Sequence, residues 1–572
     1  RGSDLVSRLA RVAVAFVALA TMFIGIVAFG GPIGATAYVP ISGEGSSWSA
    51  GAIDQWIADE QSAGMRVNFT ANGSTQGRLD WINGLTDFAA SDIPFQTDPQ
   101  DGSAPEHPRP GSYAYMPITA GGTVFMYNLR INGQQVTNLR LSGENIAKIF
   151  TGQITNWDDP AIAADNPALK LPNQTIVPVV RSDGAGSSYQ LSAWMISQYP
   201  SIWNAYCQSS GRAPACGATS FWPTVAGSSM IAQNGDLGVS SYVSQSYAAG
   251  SIGYVNYYYA LTTNFPVALM LNSAGYYTEP TPQNVAVSLL SAQVDTTDVN
   301  NPALYLTQKL QGVYTDPDPR TYPLSAYSYL ILPTTVSGQF NTAKGATLAA
   351  FSYYAMCAGQ QQVSVLGYSP LPINLVEAGF AQIAKIPGAV VQNINIAGCD
   401  NPTFDPATGA NLLAVTAPYP PACDKQGPTQ CVNGTGGAAA STDVTGNASA
   451  GVTNTGATSA TGITTSGAGT AATSGTAAVG PGASTCSASA TSARPSGSST
   501  SSTTASTDCS RSKAAPPLGA PSPITDTLAV NTGWGSVQSA LALAVAGLLL
   551  LIALPALFVR WLGRRRARRS LP

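Results

Sequence analysis

Apolar and polar positions along this chain switch repeatedly between two periods. Ala50 to Ser62 places apolar residues at helical spacing, and Met65 to Thr70 reads as a strand. Gln76 to Leu85 is helical again, and Phe88-Ala89-Ala90 is a short apolar run. Further on, Val124 to Leu129 reads as a strand, and Gly143 to Thr151 as a helix behind a Ser/Gly cap. Ile176 to Arg181 has the apolar character of a buried strand, and a Gly-rich turn then leads into the helical Tyr189 to Gln198. Ala346 to Ala358 is helical too. Helices and strands alternating in this way predict an α/β architecture for residues 38–431.

Both ends depart from that pattern. Arg8 and Arg11 precede an apolar run from Val12 to Phe29, and Ala35-Thr36-Ala37 supplies a small-residue cleavage site. Residues 1–37 therefore read as an export signal peptide, with an uncleaved membrane helix as the other reading. Ala540 to Val559 is an uncharged apolar run long enough to cross a bilayer, which places a transmembrane helix at 536–559. Arg560, Arg564, Arg565, Arg566, Arg568 and Arg569 follow at once. A basic tail beside a span is cytoplasmic, so residues 560–572 lie inside and the bulk of the chain outside a cell membrane crossed once. Within a linker at 432–535, Val432 to Thr525 are almost all Ala, Gly, Ser, Thr and Asn. They cannot bury a core and read as a disordered tether spanning roughly 55 Å.

Composition narrows the chemistry. Over 572 residues the net charge is −3, which is no nucleic-acid-binding balance. The chain has one histidine, His107, in the Pro-rich loop Pro105-Glu106-His107-Pro108. That removes most metal sites and any Ser-His-Asp or Cys-His centre that does not use it; a solvent-exposed loop residue is the expected role. No cofactor and no metal are expected. Eight cysteines occur, none as CxxC, so zinc ribbons and thioredoxin-type redox motifs are excluded. An oxidising exterior fits them, and the simplest neighbour pairing is Cys207–Cys216, Cys357–Cys399, Cys423–Cys431 and Cys486–Cys509.

The same type of junction appears three times: a strand, a small hydroxyl-rich loop, then a helix. Gly45-Ser46-Ser47-Trp48 precedes the first helix, Asn72-Gly73-Ser74-Thr75 the second, and Arg181-Ser182-Asp183-Gly184-Ala185-Gly186-Ser187-Ser188 the helix that follows. Each offers free backbone N–H groups, hydroxyls and a positive helix end; three such ends meeting at one point would hold an anion, whereas singly they are ordinary N-caps. Local donors are needed, because residues 38–431 carry 14 Lys and Arg against 25 Asp and Glu, a balance of −11. Arg181 can grip a tetrahedral oxyanion through two N–H groups, and Asp183 can hold the guanidinium. Asp92, closing Phe88-Ala89-Ala90-Ser91-Asp92, would repel an anion unless the ligand brings a proton. Hydrogen phosphate does and sulfate does not, so Asp92 would select between them. An N-cap or a surface turn is the alternative for Asp92. The cluster Tyr254, Tyr257, Tyr258 and Tyr259 reads as core or interface.

These segments together resemble the phosphate-binding proteins of bacterial ABC phosphate importers. The similarity runs through Gly43-Glu44-Gly45-Ser46-Ser47-Trp48, Gly73-Ser74-Thr75 with Asp87-Phe88-Ala89-Ala90-Ser91-Asp92, and Ile149-Phe150-Thr151-Gly152-Gln153-Ile154 with Asn156-Trp157-Asp158-Asp159-Pro160. It continues through the Arg181 to Ser188 loop, Ser251-Ile252-Gly253-Tyr254-Val255 and Leu366-Gly367-Tyr368-Ser369-Pro370-Leu371-Pro372. The resemblance implies a two-lobe type II periplasmic-binding-protein fold over residues 38–390, with lobe 1 at about 38–120 and 265–390 and lobe 2 at about 121–264. It implies inorganic phosphate as ligand, held by Ser47, Trp48 (backbone N–H), Ser74, Asp92, Arg181 braced by Asp183, Gly186 and Ser187. Ala185 stands where the family often has Ser, leaving only its N–H to offer. Permease subunits of an ABC importer would be the partner. Residues 391–431 form a disulfide-containing extension outside the family core.

Two other functions are compatible with parts of the chain. An enzyme such as a phosphatase would need a nucleophile with a base, or metals, and the single His and scattered carboxylates do not supply them. A cell-surface or wall-associated interaction protein that keeps the fold without transport would explain the tether and the extension.

Overall fold

The computed structural model describes residues 38–438, Pro406 excepted. The expected signal peptide, most of the tether, the apolar run Ala540 to Val559, the basic tail and the Cys486–Cys509 pair lie outside the described residues. Among the described residues no helix is long and apolar enough to cross a membrane.

Eight strands form one continuous sheet: β1 (Ile41–Gly45), β2 (Val67–Thr70), β3 (Phe88–Ser91), β4 (Tyr113–Tyr127), β5 (Val177–Arg181), β6 (Ile231–Gln233), β7 (Ser251–Asn256) and β8 (Ser325–Pro333). Their order is β2-β1-β3-β8-β4-β7-β5-β6. Within this order β4 belongs to both halves. It pairs antiparallel with β8 as far as Gly122, then with β7 from Thr123 onward. All of its residues are buried. Sequence pattern alone found only its C-terminal part, because Pro117, Gly121 and Gly122 read as strand breakers. The two glycines are needed where they stand. A Cβ on Gly122 would lie 2.2 Å from Pro280, and one on Gly121 2.9 Å from the Trp48 ring.

Helices cover the sheet, as the parallel βα pairs at its two ends require. Those that matter for the site are α1 (Ala50–Gln61), α2 (Ser74–Ile82), α3 (Gly143–Phe150), α4 (Gly186–Gln198), α5 (Gly235–Val243) and α6 (Thr342–Met356). α3 begins as expected, with Ser142 accepting from the Asn145 N–H. α2 and α4 start earlier than their apolar spacing suggests. Ser74 and Gly186 already belong to the first turns, where residues serve free N–H groups rather than the core. The buried apolar side chains of both sheet halves form one cluster, from Ile41 and Trp56 through Phe125 to Val255 and Leu330.

Three of the expected disulfides are formed: Cys207–Cys216, Cys357–Cys399 and Cys423–Cys431. The second fastens the extension to the end of α6. Asn401 and Thr403 then bond the Leu371 carbonyl at 3.0 and 2.9 Å. Further on the extension reaches a separate three-stranded sheet, where Arg140 pairs with Asp424 at 2.8 Å and donates to the Thr429 carbonyl at 2.8 Å. Residues 432–438, which composition assigned to the tether, are docked too. Thr435 donates to the Val267 and Thr137 carbonyls, and the Gly437 N–H donates to the Phe265 carbonyl. Small polar residues dock through backbone groups, which hydropathy does not register.

Candidate functional site

The three sequence junctions meet. The Gly73 N–H donates to the Gly45 carbonyl at 2.8 Å, and the Thr75 N–H to the Gly184 carbonyl at 2.9 Å. A Cβ on Gly186 would sit 2.6 Å from Asp92 Oδ2, so α4 approaches Asp92 as closely as a backbone can. Gly73 has φ +101° and its missing Cβ would lie 2.5 Å from Asp183 Oδ2, a second position only glycine fills. The N-cap residues Ser49, Gly73 and Ala185 make no side-chain cap bond. The hydroxyls of Ser47, Ser74 and Ser187 are instead turned toward charged groups, which decides against the simple N-cap reading for them.

A fourth helix end joins from an unexpected place. α5 begins at Gly235 and Asp236, and Asp236 is fully buried. The Asp236 N–H donates to Ser47 Oγ at 3.0 Å, and Ser47 Oγ donates to Asp236 Oδ2 at 2.5 Å. Asp236 Oδ1 accepts from the Asn256 N–H at 2.8 Å, at the end of β7 where β4 changes partners.

Arg181 is 3 % exposed and every one of its donors has a partner. Nε donates to Asp183 Oδ1 at 2.8 Å, and Nη2 to Asp183 Oδ2 and, at 2.9 Å, to Ser47 Oγ. Nη1 donates to Asp236 Oδ2 at 2.6 Å and to Ser187 Oγ at 3.3 Å. Asp183 is anchored from α5 by the Gly235 N–H at 2.9 Å. Burial disfavours the guanidinium charge, but Asp236 and Asp183 outweigh it and raise the Arg181 pKa. Burial would likewise lift Asp183, yet Arg181 beside it holds that carboxyl below its ordinary range.

Asp92 sits at the other side of the site. It follows β3, caps no helix and is 2 % exposed, which removes both alternatives raised for it from sequence. Oδ1 accepts from Ser46 Oγ at 2.7 Å and Ser328 Oγ at 2.8 Å, and Oδ2 from Ser74 Oγ at 3.1 Å. Burial pushes its carboxyl above the ordinary range; the Ser46 and Ser328 hydroxyls pull the other way, and the charge of Asp236 adds to the rise. Its backbone carbonyl accepts from Gln190 Nε2 at 2.9 Å, a contact from α4.

The remaining expected residues are present but engaged. The Trp48 N–H donates to Ser46 Oγ at 3.1 Å, and the Ala185 N–H to the Ser220 carbonyl at 2.9 Å. Neither amide is directed at an open site in this conformation. Sequence reasoning missed Ser46, Asp236 and Ser328 as polar members. Ser46 lies between Gly45 and Ser47 in a hydroxyl-rich loop, where its sequence alone does not distinguish it from its neighbours. Asp236 lacks a neighbouring Ser or Thr, so no hydroxyl-rich signal marked α5. Ser328 lies on an apolar strand at a register shift between Ser328 and Tyr329, and such bulges re-aim a side chain. The tyrosine cluster is more than core: Tyr254 OH accepts from the Arg181 N–H, and Tyr259 OH donates to the Ser47 carbonyl. His107 is exposed, as expected. Among the described residues no group of three or more His, Cys, Asp or Glu could hold a metal ion.

Comparison with known proteins gives one consistent result. A sequence model described as a PBP superfamily domain matches residues 30–358. The phosphate-binding protein PstS of Xylella fastidiosa strain Temecula1 is 32% identical over 344 residues, covering 60% of this chain and 84% of that protein. PstS of Pasteurella multocida is 30% identical over 346 residues, covering 60% and 89%. PstS 3 of Mycobacterium tuberculosis is 27% identical over 335 residues, covering 58% and 82%. A crystal structure of a phosphate-binding protein from Stenotrophomonas maltophilia aligns with TM-score 0.45 and 20% identity, over 65% of this chain and 99% of that one. The chain therefore belongs to the PBP superfamily and, within it, to the PstS family of phosphate-binding proteins.

Proposed function

We propose that the chain captures inorganic phosphate outside the cytoplasm and delivers it to an ABC-type phosphate permease, making and breaking no bond. The observation that carries this reading is the pairing of two unlike groups within one buried site. Arg181, four helix N-termini and the hydroxyls of Ser47, Ser74 and Ser187 favour a tetrahedral anion. Asp92 accepts hydrogen bonds already and can accept one more from a ligand that carries a proton. Gly186 and Ser187, in the first turn of α4, would close on the anion from the opposite lobe, with lobe 1 at about 38–120 and 265–390 and lobe 2 between. The family membership supports the ligand and the transport role.

The apolar run Ala540 to Val559 and the arginines after it would anchor the chain, with the domain outside the cell membrane. Calorimetric titration of the full-length chain tests the reading. Phosphate is expected to bind at micromolar or tighter affinity while sulfate gives no heat. Absence of phosphate binding would overturn the proposal and favour a surface protein that retains only the fold.

A further inference from the structure

We propose that Arg212 is a positioning residue for phosphate retention: carried on a disulfide-closed loop of one lobe, it latches onto Gln100-Asp101 of the other and sets how fast a bound anion is released. The inference rests on the phosphate-binding reading above and concerns a contact outside the anion site, which no sequence motif marked.

On the lobe division given above, Gln100 and Asp101 lie in lobe 1, and Arg212 and Gly217 in lobe 2. Arg212 Nη2 donates to the Asp101 carbonyl at 2.5 Å and faces Asp101 Oδ2 at 3.2 Å. Five residues on, the Gly217 N–H donates to the Gln100 carbonyl at 2.9 Å. A Cβ on Gly217 would lie 2.4 Å from the Gln100 Cβ, so the two backbones meet here as closely as they can. The Asp101 side chain is 4% exposed and that of Arg212 20%. Water screens a pair enclosed to this degree less than one on the open surface.

Each side of the contact is fixed to elements that build the anion site. In lobe 2 the Cys207–Cys216 bridge closes the loop, and the Arg212 N–H donates to the Cys207 carbonyl at 3.0 Å. Arg212 Nη1 donates to Thr219 Oγ1 at 3.1 Å and to the Phe221 carbonyl at 2.9 Å. The Thr219 N–H donates in turn to Ser192 Oγ on α4, and the Ser220 carbonyl accepts from the Ala185 N–H at the start of that helix. In lobe 1, Ser103 bonds the Asp101 carboxylate with its N–H at 3.0 Å and its hydroxyl at 2.9 Å. The same loop carries Glu106, which pairs at 2.8 Å with the buried Arg78 of α2. Arg78 Nη1 donates to Ser91 Oγ, on the residue before Asp92, at 2.9 Å.

A cavity of about 310 Å³ borders the latch, lined from both lobes by Thr75, Arg78, Asp101, Tyr189, Ser220 and Phe221. The latch is therefore a discrete contact, and parting the lobes must break it. Its loss of contact adds to the barrier for release. Entry into an already open cleft breaks nothing there. Removing the pair should act on dissociation and spare association, as truncating one partner of an enclosed charge pair does.

The test is stopped-flow phosphate binding and release by the full-length chain, Arg212→Ala, Arg212→Lys and Asp101→Asn, beside ligand-free melts. In Arg212→Ala, release is expected to speed up roughly tenfold. Association should be no slower than in the parent, and the ligand-free melting temperature little changed. Arg212→Lys, which keeps the charge, should recover part of the slow release. Asp101→Asn should speed release by itself and add nothing to Arg212→Ala. Release at the parental rate in Arg212→Ala, while the parent binds phosphate, would overturn the latch. So would an Asp101→Asn effect of the same size with and without Arg212. A parent that binds no phosphate would overturn the function itself. If Arg212→Ala does not fold, the other two variants decide. Faster release with unimpaired association in both supports the latch, and parental release in both overturns it.

Discussion

The Ser328 hydroxyl donates to Asp92 Oδ1 at 2.8 Å across 236 residues of chain. Ser328 lies on β8, which reaches Asp92 only because β8 and β3 are neighbours in the sheet. With Ser46 and Ser74 it leaves Asp92 hydrogen-bonded three times while fully enclosed. The carboxylate is therefore a built acceptor, and its environment leads to measurable consequences.

Asp92→Asn should blur the choice between phosphate and sulfate, and should also change stability in a pH-dependent way. Burial raises the Asp92 pKa in the folded protein. The folded state then holds that proton more tightly than the unfolded one, and the associated stability is full below the unfolded value and lost as pH rises through the folded value. Asp92→Asn removes that loss. Ligand-free melts should show the variant more stable than the parent at pH 8, with the gap closing toward pH 3. A gap that widens on acidification would contradict the assignment.

Arg181→Ala should destabilise the protein as well as abolish binding. It would leave Asp183 and Asp236 buried without their cation, a change that costs about 3–5 kcal/mol in comparable sites. Arg181→Lys keeps the charge but cannot form the two-pronged contact with Asp183, so it should retain more stability than Arg181→Ala while still binding phosphate weakly. Denaturant unfolding beside calorimetry separates the two effects.

Gly186→Ala tests closure. The added Cβ would meet Asp92 Oδ2 at 2.6 Å, and the backbone conformation there is one any residue adopts. The lobe carrying α4 should fold normally but be wedged away from Asp92. An unchanged melting temperature with phosphate affinity weakened at least a hundredfold is the expected result. Normal binding would show that the approach of α4 to Asp92 is not needed.

The Cys357–Cys399 bridge should stabilise the extension's attachment. Its sequence separation of 42 residues corresponds to about 4 kcal/mol of loop-closure entropy in the chain-entropy account. Replacing both cysteines by Ser should lower the denaturation free energy by roughly that amount. Cutting between residues 391 and 438 should then be faster than in the parent. Equal protease resistance in parent and variant would mean that the Leu371, Arg140 and Thr435 contacts hold the segment unaided.

Local sequence determined a good deal of this protein. Helical and strand periods marked α1, α3, β2 and β5 to within a few residues, because each segment's apolar face is written into its own spacing. The three strand-to-helix junctions, Arg181 and Asp92 stood out because glycine, hydroxyl and charged residues concentrate there, while Ser47, Ser74 and Ser187 were singled out within the junctions only by the family resemblance. The near-neighbour cysteine pairs within the described residues were legible from short separations. Only the tertiary structure brought in Ser328 and Asp236. Ser328 reaches Asp92 through strand order and a register shift, and Asp236 reaches Arg181 from a helix 55 residues further along. It also decided that the Trp48 and Ala185 amides are already bonded, and that residues 432–438 belong to the fold. Hydrogen bonds between distant segments leave no periodic trace in a chain. They depend on which backbones end up adjacent, and that is settled by packing the whole sheet.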